Sequence, residues 1–180
     1  YNLLDMAIKA FQKSMELNPA LNFNFQLARI YGEQGNVEAM YNSYLNLVID
    51  GKTSKSNILR SIDDFVSEEP ENQNNILLKK VLLERAQKNP DILWNELLSW
   101  LFEKQNQYGS AFRQEKAIFK RMNGSSTSRL ENLGQSALEN EEYEIAKDIY
   151  SYIIENTSDK IVQLDAELNL IDIELVGATD

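Results

Sequence analysis

Apolar residues along this chain recur at steps of three and four, the spacing that keeps them on one face of a helix, and alternation at two is almost absent. The pattern predicts helices over residues 3–17, 22–34, 37–50, 56–68, 73–88, 91–105, 108–122, 128–140, 143–156 and 159–176. Between them lie Asn18-Pro19, Gly35-Asn36, Gly51, Glu69-Pro70, Asn89-Pro90 and Asn123-Gly124. Gly accepts the left-handed conformation that ends a helix, and Pro cannot continue one. Links this short set consecutive helices antiparallel and side by side. The Gly/Ser-rich stretch from Asn123 to Ser128 is too short to divide domains and reads as a joint.

Aligning the helices that follow the short turns exposes a repeat with steps of three, four and three. It runs through Leu4, Ala7, Phe11 and Ser14; Val37, Met40, Tyr44 and Leu47; Tyr108, Ala111, Glu115 and Ile118; and Tyr143, Ala146, Tyr150 and Ile153. Val37 follows Leu4 by 33 residues and Tyr143 follows Tyr108 by 35, whereas Tyr108 follows Val37 by 71. That double interval predicts a degenerate copy between them, assigned to Ile62 and Val66 followed by Leu77 and Val81. The preceding helices carry Leu27, Ala28 and Tyr31; Leu98, Ser99 and Phe102; and Leu133, Gly134 and Ala137. A Leu and a small residue side by side, one turn before a further residue of the same face, let two helices approach closely and interlock.

These residues resemble the tetratricopeptide repeat, with Leu133-Gly134, Tyr143, Ala146 and Tyr150 as the clearest match and Leu17-Asn18-Pro19 as a unit-closing turn. The resemblance is strongest over Ala7 to Leu47 and Leu133 to Ile153. It implies an all-α chain forming an α-α superhelix, a right-handed solenoid of about ten helices, as one repeat domain over 1–180. Its units fall at 1–20 (the second helix of a truncated unit), 21–52, 53–89 (degenerate), 90–124, 125–157 and 158–180 (partial). Met40 and Glu115 stand where the family prefers a small and an aromatic residue. Asp63 stands where a small residue is expected, which marks the middle unit as irregular.

The resemblance also implies a binding groove along the concave wall, lined by the first helix of each pair. Ligand-contacting positions two before and two after the characteristic Leu fall on Phe25 and Arg29, Glu96 and Trp100, and Glu131 and Gln135. Trp100 lies off the Trp94, Leu97, Leu98 and Leu101 face, which leaves its ring either in the groove as an anchor or packed on a neighbouring helix. Relatives that hold a terminal carboxylate use Lys and Asn. The matching positions here are rich in Glu, which suits a partner bearing Lys or Arg.

The last predicted helix carries Ile161, Leu164, Leu168, Ile171 and Leu175 as a heptad-like stripe, with Val162, Ala166, Leu170 and Ile173 as a second. It reads as the first helix of a further unit. A coiled-coil dimer is the alternative, so the chain is expected to be a monomer or a weak dimer through terminal helices.

Composition narrows the chemistry. The chain has 180 residues, 43% of them apolar and 26% charged, enough to bury a core. With 28 acidic against 18 basic residues the net charge is -10, and no basic run exceeds Lys79-Lys80. Nucleic-acid binding requires clustered cations, so nucleic acid is not expected as a partner. No apolar run approaches the roughly 18 residues of a membrane span. There is no His and no Cys. This removes the commonest general base, the commonest metal ligands and every thiolate nucleophile. The pairs Asp63-Asp64, Glu68-Glu69 and Glu141-Glu142 splay about 100° apart on a helix and cannot share a proton. No catalytic residue, cofactor or metal site is therefore expected. The chain opens at Tyr1 on an amphipathic pattern and reads as a fragment of a larger protein. It is expected to be soluble, in the cytoplasm, or in the periplasm should a signal peptide precede it. The expected function is a non-catalytic scaffold that holds a protein or peptide; the alternative is a structural or regulatory spacer whose activity lies elsewhere.

Overall fold

The computed structural model describes residues 2–177, and all regular structure among them is helical. In chain order the helices are α1 (Asn2–Leu17), α2 (Asn24–Glu33), α3 (Val37–Ile49), α4 (Lys55–Ile62), α5 (Gln73–Lys88), α6 (Ile92–Lys104), α7 (Tyr108–Arg121), α8 (Ser128–Glu139), α9 (Tyr143–Asn156) and α10 (Lys160–Gly177). Each predicted helix is present, most within two residues at either end. Three starts are fixed by side chains that satisfy orphan backbone donors: Asn36 accepts from the Ala39 N–H, Ser54 from Asn57 and Asp91 from Leu93.

The turns inside three helix pairs are built alike. The Asn36 N–H donates to the Tyr31 carbonyl (2.8 Å), Gln107 to Phe102 (2.8 Å) and Glu142 to Ala137 (2.9 Å). One residue earlier, the N–H groups of Gly35, Asn106 and Glu141 reach the carbonyls of Gly32, Glu103 and Leu138. This pair of bonds closes a helix through a left-handed residue. Gly35, Asn106 and Glu141 occupy that position with φ of 73°, 54° and 62°. The accepting residues Tyr31, Phe102 and Ala137 are the third members of the three first-helix signatures and keep the sequence intervals of 71 and 35.

The chain divides into two compact units, Tyr1–Val81 and Leu82–Asp180. In the first, α2 packs on α3, α1 on α2 and α3 on α4. Leu27, Ala28, Met40, Tyr41, Leu45, Ile58 and Ile62 are buried. Met40 fits because the small residue has moved across the contact: a Cβ on Gly32 would stand 3.2 Å from the Met40 sulfur. In the second unit, α6 through α10 each pack on the next, and α7 also touches α9. Tyr152 meets Phe112 and Phe119 edge-on, with ring centroids 5.7 and 5.9 Å apart. Helices α8 and α9 approach closely at Gly134, where a Cβ would lie 2.9 Å from Tyr150 Cζ. Only Gly fits there without displacing a buried ring.

The degenerate unit departs from expectation. The helix predicted over 56–68 ends at Ile62, continues as a single 3-10 turn over Asp63–Phe65, and turns extended at Val66. The cause is buried Asn75. Its amide donates to the Ser67 and Glu69 carbonyls, both at 2.7 Å, and accepts from the Ser67 N–H at 3.2 Å. Backbone groups held by a side chain are not free to extend a helix. Val66 therefore sits in a loop instead of a helical repeat position, and Leu78 joins Val81 in the core alongside the half-buried Leu77.

Candidate partner-binding surfaces

Phe25 and Arg29 lie on α2 in the first unit, one helical turn apart and both exposed. The Phe25 ring stands edge-on to Tyr44 at 6.4 Å. It walls an open cleft of about 500 Å³ with Leu47, Ile58, Lys52, Asn57 and Arg60. Arg29 is not among the cleft-lining residues.

In the second unit Glu96 and Trp100 lie on α6. Trp100 is half-buried, while Trp94, Leu97, Leu98 and Leu101 are buried, so its ring is divided between contact and solvent. Glu96 is committed to an ion pair: its carboxylate receives Arg129 Nη1 at 3.2 Å. The same guanidinium makes two parallel bonds to Glu115, Nε to Oε2 and Nη2 to Oε1, both at 2.7 Å. Glu115 is only 2% exposed on the side chain, and Arg129 37%. The acid that replaces an expected aromatic is thus held by a fork of donors from the first turn of α8. Those bonds bind the Arg129 proton more firmly than usual, against the opposing effect of burial. Beside this pair, burial pushes the Glu103 carboxyl up, a shift countered by the Ser99 hydroxyl that donates to it.

Glu131 and Gln135 lie one turn apart on α8 and face α10. With Asn132, Tyr150, Val162, Asp165, Ala166 and Asn169 they line a cleft of about 210 Å³. Glu131 accepts from the Thr127 hydroxyl, and Gln135 donates to Glu139. Burial, then the charges of Glu131 and Glu139, push the Tyr150 hydroxyl up to about 12, so it stays a neutral donor. The lining is two carboxylates and three primary amides around a phenol. Amides both donate and accept, which matches a peptide backbone, and the carboxylates match a cation.

Of the six expected residues, Glu131 and Gln135 share one cleft, Phe25 lines another, Trp100 is half-buried, Arg29 is exposed, and Glu96 belongs to the Arg129 network. Sequence reasoning missed Arg129, Asp165 and Asn169. An acid at an otherwise apolar repeat position was the available signal for Arg129, because a buried carboxylate needs a cation nearby. Asp165 and Asn169, four residues apart on α10, were overlooked because its apolar stripes drew the reading. Charge is also unevenly placed: 13 of the 28 acids but 3 of the 18 bases fall within residues 129–180, so this segment accounts for the whole net charge of -10.

Among the described residues, no helix is long and apolar enough to cross a membrane. No protein-family model matches the chain, and no curated protein matches it.

Proposed function

We propose that this chain is a non-catalytic scaffold that captures a Lys- or Arg-bearing segment of another protein in the cleft between α8 and α10. The observation that carries the reading is the lining of that cleft: Glu131 and Asp165 supply negative charge, and Asn132, Gln135 and Asn169 supply amides for an extended backbone. It lies in the segment that holds the net charge of the chain. The sequence supports the non-catalytic part of the reading, since it contains neither His nor Cys. The spacing of the turn-accepting residues Tyr31, Phe102 and Ala137 at two periods and one supports kinship with the tetratricopeptide repeat, and the right-handed superhelix of that family is part of the same proposal. Trp100, on the first helix of its pair in the same unit, is proposed as a further contact, and Arg29 as a separate contact of the first unit.

The test is a peptide array probed with the whole chain. Bound peptides should be enriched in Lys and Arg, and Glu131→Lys with Asp165→Lys should abolish most of the signal while thermal stability holds. Trp100→Ala should weaken it. A bound set without charge bias, or one unmoved by the double variant, would remove the cleft from consideration.

A further inference from the structure

Helix α10 is apolar on two sides. Val162, Ala166, Leu170 and Ile173 face inward and pack with the core of the second unit. The Gln163 amide donates to the Ile154 and Thr157 carbonyls at 3.1 and 2.8 Å, which fixes the start of α10 against the end of α9. Ile161, Leu164, Leu168 and Ile171 point the other way and are 52–72% exposed. Their steps of three, four and three continue to Leu175, a period of 3.5 residues. That period makes a narrow seam for a single neighbouring helix, where a helix lying on a broad core shows a wider stripe. Four large aliphatic side chains in a row, each more than half exposed, form the kind of patch that soluble proteins keep for partners.

The residues flanking the seam decide which partner. Asp165 and Asp172 line one edge; Lys160, Glu167 and Glu174 line the other, and all five are exposed. The flanks thus hold four carboxylates and one ammonium. In a parallel pair with a second copy, Glu167 would meet Asp172 of that copy; in an antiparallel pair Glu167 would meet its own counterpart and Asp165 would meet Asp172. Lys160 relieves one contact in either arrangement, and the others are repulsive. The apolar seam favours association, yet its borders disfavour association with itself.

We propose that the outer face of α10 docks an amphipathic helix of a separate protein, with aliphatic residues at heptad spacing and Lys or Arg at its flanking positions. The helix lies along Leu164, Leu168 and Ile171, and its cations pair with Asp165, Glu167, Asp172 and Glu174. This surface shares Asp165 with the α8–α10 cleft, but its apolar seam and its other three carboxylates lie outside that cleft.

Two synthetic helical peptides test the proposal, each of about three heptads with Leu along the seam, one flanked by Lys and the other by Glu. Titrated with the whole chain and followed by fluorescence anisotropy, the Lys peptide should bind saturably and about tenfold more weakly when salt rises from 0.05 M to 0.5 M. The Glu peptide should not bind. Leu168→Glu should abolish binding with the helical circular dichroism unchanged, because that side chain is exposed. Glu167→Lys with Glu174→Lys should remove most of the preference for the Lys peptide, because one edge then repels it, and Glu131→Lys should leave that preference unaltered. Equal binding of both peptides, or of neither, would overturn the proposal. So would light scattering that shows the chain alone to be a stable dimer at neutral pH and low salt.

Discussion

At residue scale the second unit holds a buried acid, Glu115, in the fork of a partly exposed arginine, Arg129. Arg129→Met would leave Glu115 charged and enclosed without its donors. Loss of one partner of a buried pair costs about 3 to 5 kcal/mol. Because the guanidinium is partly exposed, about 2 to 3 kcal/mol is expected here, read from the denaturant midpoint. Glu115→Met combined with Arg129→Met should recover most of it, since neither charge then needs a partner. Glu103 behaves oppositely. Its carboxyl is raised in the fold above the ordinary 4.5, so the protonated form is the one the fold favours. Its contribution to stability is fully present below 4.5 and is lost as pH rises through the raised value. Glu103→Gln should therefore match the parent in acid and exceed it at pH 7, because the amide oxygen still accepts from Ser99; a comparison of melting temperatures against pH reads this directly. Glu115 was visible in the sequence as an acid in an aromatic's place. Its partner was not, since periodicity along one helix says nothing about which side chain of the next reaches back.

The elements themselves were largely legible. Steps of three and four mark helices because a buried face must repeat with the helical turn, and Gly, Asn and Pro mark their ends. The failure at α4 has a definite origin: local pattern continued through Val66, but Asn75, eight residues beyond Ser67, captured the loop backbone. Asn75→Ala should cost about 2 to 3 kcal/mol, near the sum of three modest buried hydrogen bonds. Asn75→Asp should rescue little, as a carboxylate cannot donate to the carbonyls of Ser67 and Glu69. Equal midpoints for Asn75→Ala and the parent would show that the loop holds itself. The clefts were legible only in part for a related reason. First-helix positions could be projected from the repeat, which found Glu131 and Gln135, while the opposing wall from α10 required knowing how the last helix turns.

For the molecule as a whole, sequence gave the charge, and the structure shows which elements carry it. Thirteen acids against three bases over residues 129–180 place like charges on α8, α9 and α10. Self-repulsion of this kind lowers stability in dilute salt. Raising sodium chloride from 0.02 M to 0.3 M should lift the melting temperature by a few degrees, at about 2 to 4 °C per kcal/mol for a chain of this length. Replacing Glu139, Glu144 and Asp148 with Gln or Asn should remove about half of that salt response. A flat response in the parent would mean that these charges are already solvated independently.

The three matched turns carry a consequence for how such a chain can be altered. Gly35, Asn106 and Glu141 differ in everything except the backbone angle they adopt, so the joint is specified by the helix ends it closes and not by its own side chain. The joints are therefore interchangeable parts: Gln34-Gly35-Asn36 could be transplanted in place of Asn140-Glu141-Glu142 with no redesign of either flanking helix. Since Glu pays a left-handed penalty that Gly escapes, the hybrid should hold its α8–α9 hairpin closed more tightly than the natural chain does.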